Sequence, residues 1–308
     1  MIHYSCMNRA ELEKEYQQVL ASYNAVKAKG LNLNMARGKP GADQLNLSMG
    51  MMDVLSSSDD LTCDDGTDCR NYGVLDGLPE TKRLFSELLH IPESRIIVAG
   101  NSSLNLMFDT IVRCMLFGVA GGREPWVRQG RTKFLCPAPG YDRHFTICRT
   151  LGIEMIPIKM TKFGPDMDMV EELIKDESVR GMWCVPKFSN PQGYTYSDET
   201  VMRFANLKPA APDFTIMWDN AYCVHEFEGE FVPFKDIITL CREAGNPDMV
   251  FEFASTSKIT FPGAGISVMA SSAENIKYME KLLGVQLISY DKVNQLRHVK
   301  FLQNKEHT

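Results

Sequence analysis

The sequence predicts an α/β protein, a three-layer αβα sandwich built on a mostly parallel sheet. Two observations carry that expectation. Short apolar runs of strand length alternate with amphipathic helical segments over most of the chain, and Gly-, Pro- and Ser-rich turns punctuate the junctions between them. Strand–helix alternation of this kind implies parallel strands with helices on both faces of the sheet.

The elements follow in order. Residues 8–28 read as an amphipathic helix rich in Glu, Lys, Gln and Ala, ending in the Gly/Pro-punctuated loop Ala36-Arg37-Gly38-Lys39-Pro40-Gly41. A helix over about 79–90 opens with Pro79 at a favourable first-turn position. Ile96-Ile97-Val98-Ala99 is a buried-strand run, and Gly100-Asn101-Ser102-Ser103 joins it to a helix reaching Phe117. Strands are then expected at 133–136, 153–158, 181–185, 215–218 and 249–253. Helices are expected at 141–151, 166–176, 197–207 and 234–244, with a last helical stretch around 290–298. No internal repeat or low-complexity tract interrupts the pattern.

Composition narrows the function. A chain of 308 residues with 44% hydrophobic and 23% charged residues is ordinary for a globular protein. A net charge of −6 argues against a broad polyanion-binding surface. No apolar run approaches the length needed to cross a bilayer, and the N-terminus lacks the apolar core of a secretory signal. The nine cysteines are scattered without framework spacing, which favours reduced thiols and a cytoplasmic setting. Cys63 and Cys69 share an acidic loop, but no second Cys/His pair supplies metal-ligand spacing, so a plain loop is expected there.

In sheets of this type ligands bind beyond the carboxyl ends of the strands, so the polar residues after each apolar run are the ones to weigh. Gly100-Asn101-Ser102-Ser103 offers hydroxyls and N–H groups at a helix N-terminus, suited to a phosphate or to simple helix capping. Pro137-Ala138-Pro139-Gly140-Tyr141, with His144 three residues on, projects a ring that could stack on a flat heterocycle or belong to the core. Ser189-Asn190-Pro191-Gln192-Gly193 precedes Trp218-Asp219-Asn220-Ala221-Tyr222. An Asp closing a buried strand needs a partner, either a cationic ring nitrogen or a structural salt bridge. Ser255-Thr256-Ser257-Lys258 sits before the small-residue loop Phe261-Pro262-Gly263-Ala264-Gly265, an unlikely setting for a solvated lysine and a suitable one for an imine-forming amine.

Taken in order, these motifs make the chain resemble the class I aminotransferases, fold type I of the pyridoxal-phosphate enzymes, from about Arg37 to Gly265. Ala-Arg-Gly-Lys-Pro, Gly-Asn-Ser-Ser and Ser-Thr-Ser-Lys-Ile-Thr look more narrowly like an aspartate aminotransferase or MocR-type branch. The resemblance implies pyridoxal 5'-phosphate held as a Schiff base on Lys258, with Asp219 on the ring nitrogen and His144 supporting Asp219. It implies Tyr222 and Asn190 on the phenolic oxygen and Tyr141 against the ring. Ser102, Ser103, Ser255 and Ser257 are implied on the phosphate. Tyr72 would reach the phosphate of a neighbouring subunit, implying a homodimer with shared active sites. Arg37, Gly38 and Asn190 would face substrate, an amino acid or 2-oxo acid.

Two departures accompany the resemblance. Position 266 is Ile where many relatives place a phosphate-clamping arginine, so hydroxyls and N–H groups would carry more of that load. The family's carboxylate-binding small domain needs on the order of 100 further residues. The expected organisation is thus an N-terminal helix and substrate-side segment (1–45), a cofactor-binding large domain (46–285) and the start of a truncated small domain (286–308). The expected reaction is transamination of an amino acid, an acidic one such as aspartate. The alternatives are β-elimination or decarboxylation on the same fold, an inactive fragment, or an amino-acid sensor; about 35 residues before Arg37 are too few for a DNA-binding domain. Arg297 is weighed as a distal-carboxylate partner against a surface-helix arginine.

Overall fold

The computed structural model describes residues 4–32, 39–122, 124–227 and 229–304. The chain divides into two compact units, Met1–Gly41 and Ala42–Thr308.

The first unit is dominated by α1 (Arg9–Ala28). Its start is a reciprocal cap. The Asn8 side chain accepts from the N–H groups of Ala10 and Glu11 at 2.9 and 3.0 Å, and Glu11 accepts from the Asn8 N–H at 2.8 Å. Gly30, at φ +61°, ends it. None of its residues is buried.

The second unit contains helices α2 (Ala42–Asn46), α3 (Pro79–Leu89), α4 (Ser103–Phe117), α5 (Asp142–Thr150), α6 (Met167–Leu173), α7 (Asp198–Ala205), α8 (Ile237–Glu243), α9 (Ala273–Gln286) and α10 (Lys292–Leu302). The strands are β1 (Ile96–Ala99), β2 (Lys133–Ala138), β3 (Glu154–Thr161), β4 (Gly164–Pro165), β5 (Val179–Cys184), β6 (Thr215–Asp219), β7 (Val250–Ser255) and β8 (Ser267–Ala270). They form one sheet in the order β1-β8-β7-β6-β5-β2-β3-β4.

β7, β6, β5, β2 and β3 are mutually parallel. β8 runs antiparallel to both β7 and β1. Two reversals restore direction, so β1 points the same way as the parallel five. The carboxyl ends of β1, β2, β5, β6 and β7 therefore open on one edge of the sheet.

Strand residues alternate between two apolar layers. Ile216, Trp218, Val250 and Ala254 pack in the layer with α3, α7 and α8, and Met217, Phe251 and Phe253 in the layer with α4, α5 and α9. The expected three-layer α/β sandwich is the observed one. In the central strand β5, Gly181 pairs with Phe134 on β2 and Thr215 on β6. A Cβ there would lie 2.3 Å from the Phe134 ring and 2.8 Å from the Thr215 carbonyl, so only glycine admits that ring.

Helix starts follow side-chain caps at Asp166, Ser197, Asp236, Ser272 and Asp291, each accepting a backbone N–H three residues on. The Asp166 cap starts α6 at Met167, and the helix ends at Leu173, three residues short of the expected 176. β8 and α9 were not anticipated. β8 has only four residues, directly after a Gly/Pro loop, and pairs both with β7 across that loop and with β1 far earlier in the sequence. The stretch expected to be helical around 290–298 is α10. Its Gln295 accepts from the Leu78 N–H at 2.9 Å, and Asn294 donates to the Gly265 carbonyl at 2.9 Å, tying the helix to the Ala42–Thr308 unit.

Candidate active site

The common edge of the sheet holds a cavity of about 210 Å³. Ser102, Ser103, Tyr141, Asn190, Asp219, Tyr222, Ser255, Ser257 and Lys258 all line it, brought from five strand ends. Leu104, Met107, Val185 and Ala221, which the motif reading did not single out, complete the wall. The signal for Leu104 and Met107 was present in the helical period of α4, whose first turn faces the cavity.

Asp219 closes β6 and is 4% exposed. Its Oδ2 accepts from Nε2 of His144 at 3.0 Å, while its Oδ1 is buried and has no hydrogen-bond partner. A half-satisfied buried carboxylate is costly, and a ring N–H arriving in the cavity is the kind of donor it lacks. His144, in the first turn of α5, lies flat on the Trp183 indole with centroids 4.3 Å apart and planes 5° apart. The Trp183 N–H donates to Sγ of Cys148 at 3.2 Å. The Tyr141 ring meets His144 edge-on at 5.1 Å. Three consecutive contacts thus fix the orientation of the group that holds Asp219.

Burial raises the pKa of both phenols in the cavity, and the Asp219 charge raises each further. Tyr141 and Tyr222 are consequently neutral hydroxyls over the physiological range, able to donate a hydrogen bond.

The serines form the opposite wall. Ser102 precedes α4 in an extended conformation without a side-chain cap bond, so its hydroxyl is not committed to capping. Ser257 Oγ donates to the Asn101 carbonyl at 3.3 Å, and Ser267 Oγ donates to the Gly100 carbonyl at 2.7 Å. The first bond ties the β1–α4 turn to the Ser255–Lys258 turn and the second ties it to β8, so hydroxyls gather with the α4 N-terminus in an arrangement suited to a phosphate. Ile266 is 1% exposed and packs in the apolar layer, not in the cavity.

Lys258 ends the turn after β7, exposed toward the cavity. Its carbonyl accepts from Nε2 of His225 at 3.2 Å, a contact not anticipated because His225 follows β6 by several residues. Burial holds the His225 pKa below its ordinary value. Beneath the lysine, Nε2 of His298 lies 3.3 Å from Thr256 Oγ1 and 3.1 Å from Thr260 Oγ1.

Other expected positions lie elsewhere. Tyr72 is 78% exposed and does not line the cavity. Arg37 and Gly38 lie outside the described residues. Arg297 is half-buried on α10, bonded to Asn294, and is not among the residues lining the cavity. Cys63 and Cys69 are buried with Leu78 and Leu296, and Cys63 donates to Asp65 at 3.0 Å. No helix among the described residues is long and apolar enough to cross a membrane.

These geometries have close counterparts. A family model described as aspartate amino-transferase matches residues 7–308. The aspartate aminotransferase of Corynebacterium glutamicum is 42% identical over 94% of this chain and 67% of its own length. The crystal structure of an aspartate transaminase from C. glutamicum superimposes with a TM-score of 0.91 at 40% identity, covering 98% of this chain and 71% of that one. The fold also matches LysN, an α-aminoadipate aminotransferase from Thermus thermophilus, with a TM-score of 0.61 at 19% identity, covering 76% of this chain and 56% of that one. The chain belongs to the aspartate amino-transferase family and is a pyridoxal-phosphate-dependent aminotransferase.

Proposed function

We propose that this chain moves an amino group between an acidic amino acid, aspartate being the first candidate, and a 2-oxo acid. Lys258 serves as the covalent attachment point for pyridoxal 5'-phosphate. The observation that carries the reading is the unpartnered Oδ1 of buried Asp219, a residue that lines the same cavity as Lys258. When bound, the cofactor supplies an electron-accepting ring conjugated to the substrate Cα. Every remaining task falls to side chains of this chain.

Asp219 Oδ1 would accept the ring N–H and its charge would keep that proton in place, while His144 holds Oδ2 so that the carboxylate cannot turn away. Tyr222 would donate its neutral hydroxyl to the ring's oxygen together with Asn190, and Tyr141 would pack against the ring. Ser102, Ser103 and Ser255 would hold the phosphate, helped by the α4 N-terminus, and Ser257 would join them by turning its hydroxyl away from the Asn101 carbonyl. Lys258 Nζ, presented in the same cavity, would take and return the Cα proton of the substrate as general base and acid. The acidic substrate is supported by the name of the C. glutamicum relative. A homodimer in which Tyr72 reaches the partner's phosphate is supported by that ring's exposure. A cytoplasmic setting is supported by the nine unpaired cysteines.

The test is spectroscopic. Purified protein given pyridoxal phosphate should develop the visible band of a lysine-bound cofactor, and Lys258→Ala should abolish it. Aspartate should then bleach the band with release of oxaloacetate. Folded wild-type protein that forms no band would sink the reading, and a band that aspartate and glutamate leave untouched would remove the acidic substrate. Product analysis separates transamination from elimination or decarboxylation.

A further inference from the structure

One buried carboxyl close to the cavity has no part in the chemistry described above. Glu252 lies in β7, three residues before Ser255, and is 4% exposed. By strand alternation its side chain belongs to the same layer as Val250 and Ala254. Its Oε1 accepts from Nδ2 of Asn220 at 2.8 Å. Asn220 directly follows Asp219 and is 7% exposed. The Asn220 N–H donates to the Phe253 carbonyl at 2.8 Å, while its Oδ1 is buried and has no hydrogen-bond partner. Both side chains are enclosed within the Ala42–Thr308 unit.

These contacts suit one protonation state of Glu252. An ionised carboxylate can only accept, so it offers nothing to an amide oxygen that needs a donor, and its own burial is costly. A neutral carboxylic acid has one O–H to give, and Asn220 Oδ1 is the acceptor left over. The surroundings favour the neutral form. Burial pushes the Glu252 pKa up to about 8, the Asn220 bond offsets part of that rise, and the charge of Asp236 adds to it. Asp236 is the N-cap of α8, and Cys223, after β6, is the other titratable group coupled to Glu252. Lys187, whose charge reaches Cys223, is committed to Glu226 at 2.6 Å. The residues paired with Glu252 on the adjacent strands, Trp218 and Ala270, carry no charge.

We propose that Glu252 is a positioning residue: as a neutral acid it donates through Oε2 to Asn220 Oδ1 while accepting from Asn220 Nδ2, and this reciprocal pair fixes the end of β6 against β7. Asp219 ends β6, and β7 runs on to Ser255 and Lys258, so the pair sets how the carboxylate and the lysine stand across the cavity. The positioning role rests on the proposed reading of Asp219 and Lys258; the acid–amide pair does not.

The experiment compares the full-length wild-type chain with Glu252→Gln, whose amide can make the same two bonds at every pH. In the infrared spectrum of the apo protein, wild type should show the carbonyl stretch of a protonated carboxyl that Glu252→Gln lacks. That band should fade as pH rises through about 8. Its absence from folded wild-type protein at neutral pH would overturn the pair. Pyridoxal phosphate affinity, titrated by absorbance, should agree within about twofold for the two proteins near pH 6. By about pH 9.5 wild type should bind about tenfold more weakly than Glu252→Gln, because an ionised Glu252 becomes a second acceptor beside Asn220 Oδ1. A ratio that stays level with pH, or that turns in favour of wild type, would overturn the positioning role. If neither protein binds the cofactor at any pH, the proposed function fails and the positioning role with it, while the infrared band still decides the pair.

Discussion

Replacing Asp219 by Asn should make the apo protein more stable and the enzyme much slower, and the burial of the carboxylate sets the first magnitude. The carboxylate is 4% exposed, with one oxygen bonded to His144 at 3.0 Å and the other unpartnered. Asn keeps the shape and an acceptor for His144 while removing a charge that is only half satisfied. Relief of that desolvation contributes on the order of 1–3 kcal/mol to the apo protein, a rise of a few degrees in Tm. In the loaded enzyme the loss is larger. A carboxylate about 4 Å from a cationic nitrogen, at an effective dielectric near 20, contributes roughly 4 kcal/mol, which corresponds to about a thousandfold in kcat/KM. The assays are thermal unfolding with and without pyridoxal phosphate, and steady-state transamination. Wild-type protein should gain more Tm from the cofactor than the variant does. If Asp219→Asn lowered the apo Tm by several degrees and kept kcat/KM within tenfold, Asp219 would be a structural anchor and the ring-nitrogen assignment would fail.

Three further outcomes follow from buried groups. Gly181→Ala should cost about 2–4 kcal/mol in urea unfolding, because its Cβ meets the Phe134 ring and the Thr215 carbonyl at once; a loss below about 1 kcal/mol would contradict that packing. Arg180→Met leaves Asp213 buried beside Gln129 alone and should cost about 3–5 kcal/mol, whereas Arg180→Met with Asp213→Leu should recover most of it. Glu252 is pushed by burial from an ordinary 4.5 up to about 8, its bond from Asn220 offsetting only part of the rise. A raised carboxyl pKa means that the folded state holds the proton after the unfolded state has released it. Its contribution to stability is therefore greatest below about pH 4.5, falls as pH rises to about 8, and is level beyond. The difference between wild type and Glu252→Gln should accordingly drift by on the order of 3–5 kcal/mol over that window, read from urea midpoints; parallel pH curves would exclude a neutral Glu252.

What the sequence disclosed, and what it hid, divides along a physical line. Ser102, Tyr141, Asn190, Asp219 and Lys258 were legible because each stands just after an apolar run, and a sheet with parallel strands sends all such ends to one edge. The local pattern and the global topology give the same answer there. The same pattern could not supply β8, whose four residues become a strand only by pairing with β1 and β7, more than 150 and about 15 positions away respectively. Nor could it supply Trp183 beneath His144 or His225 on the Lys258 carbonyl. Both contacts are made by residues on separate strand–helix units, and nothing in their own neighbourhoods marks them. The reversal at β8 is nonetheless what makes the motif reading work. Without it β1 would run opposite to β7, and the Gly100–Ser103 turn would open on the far edge of the sheet from Lys258. The meeting of the Gly100–Ser103 turn with the Ser255–Lys258 turn, tied by Ser257 to Asn101, and its anchoring to β8 through Ser267 to Gly100 therefore depend on the strand that no local signal announced.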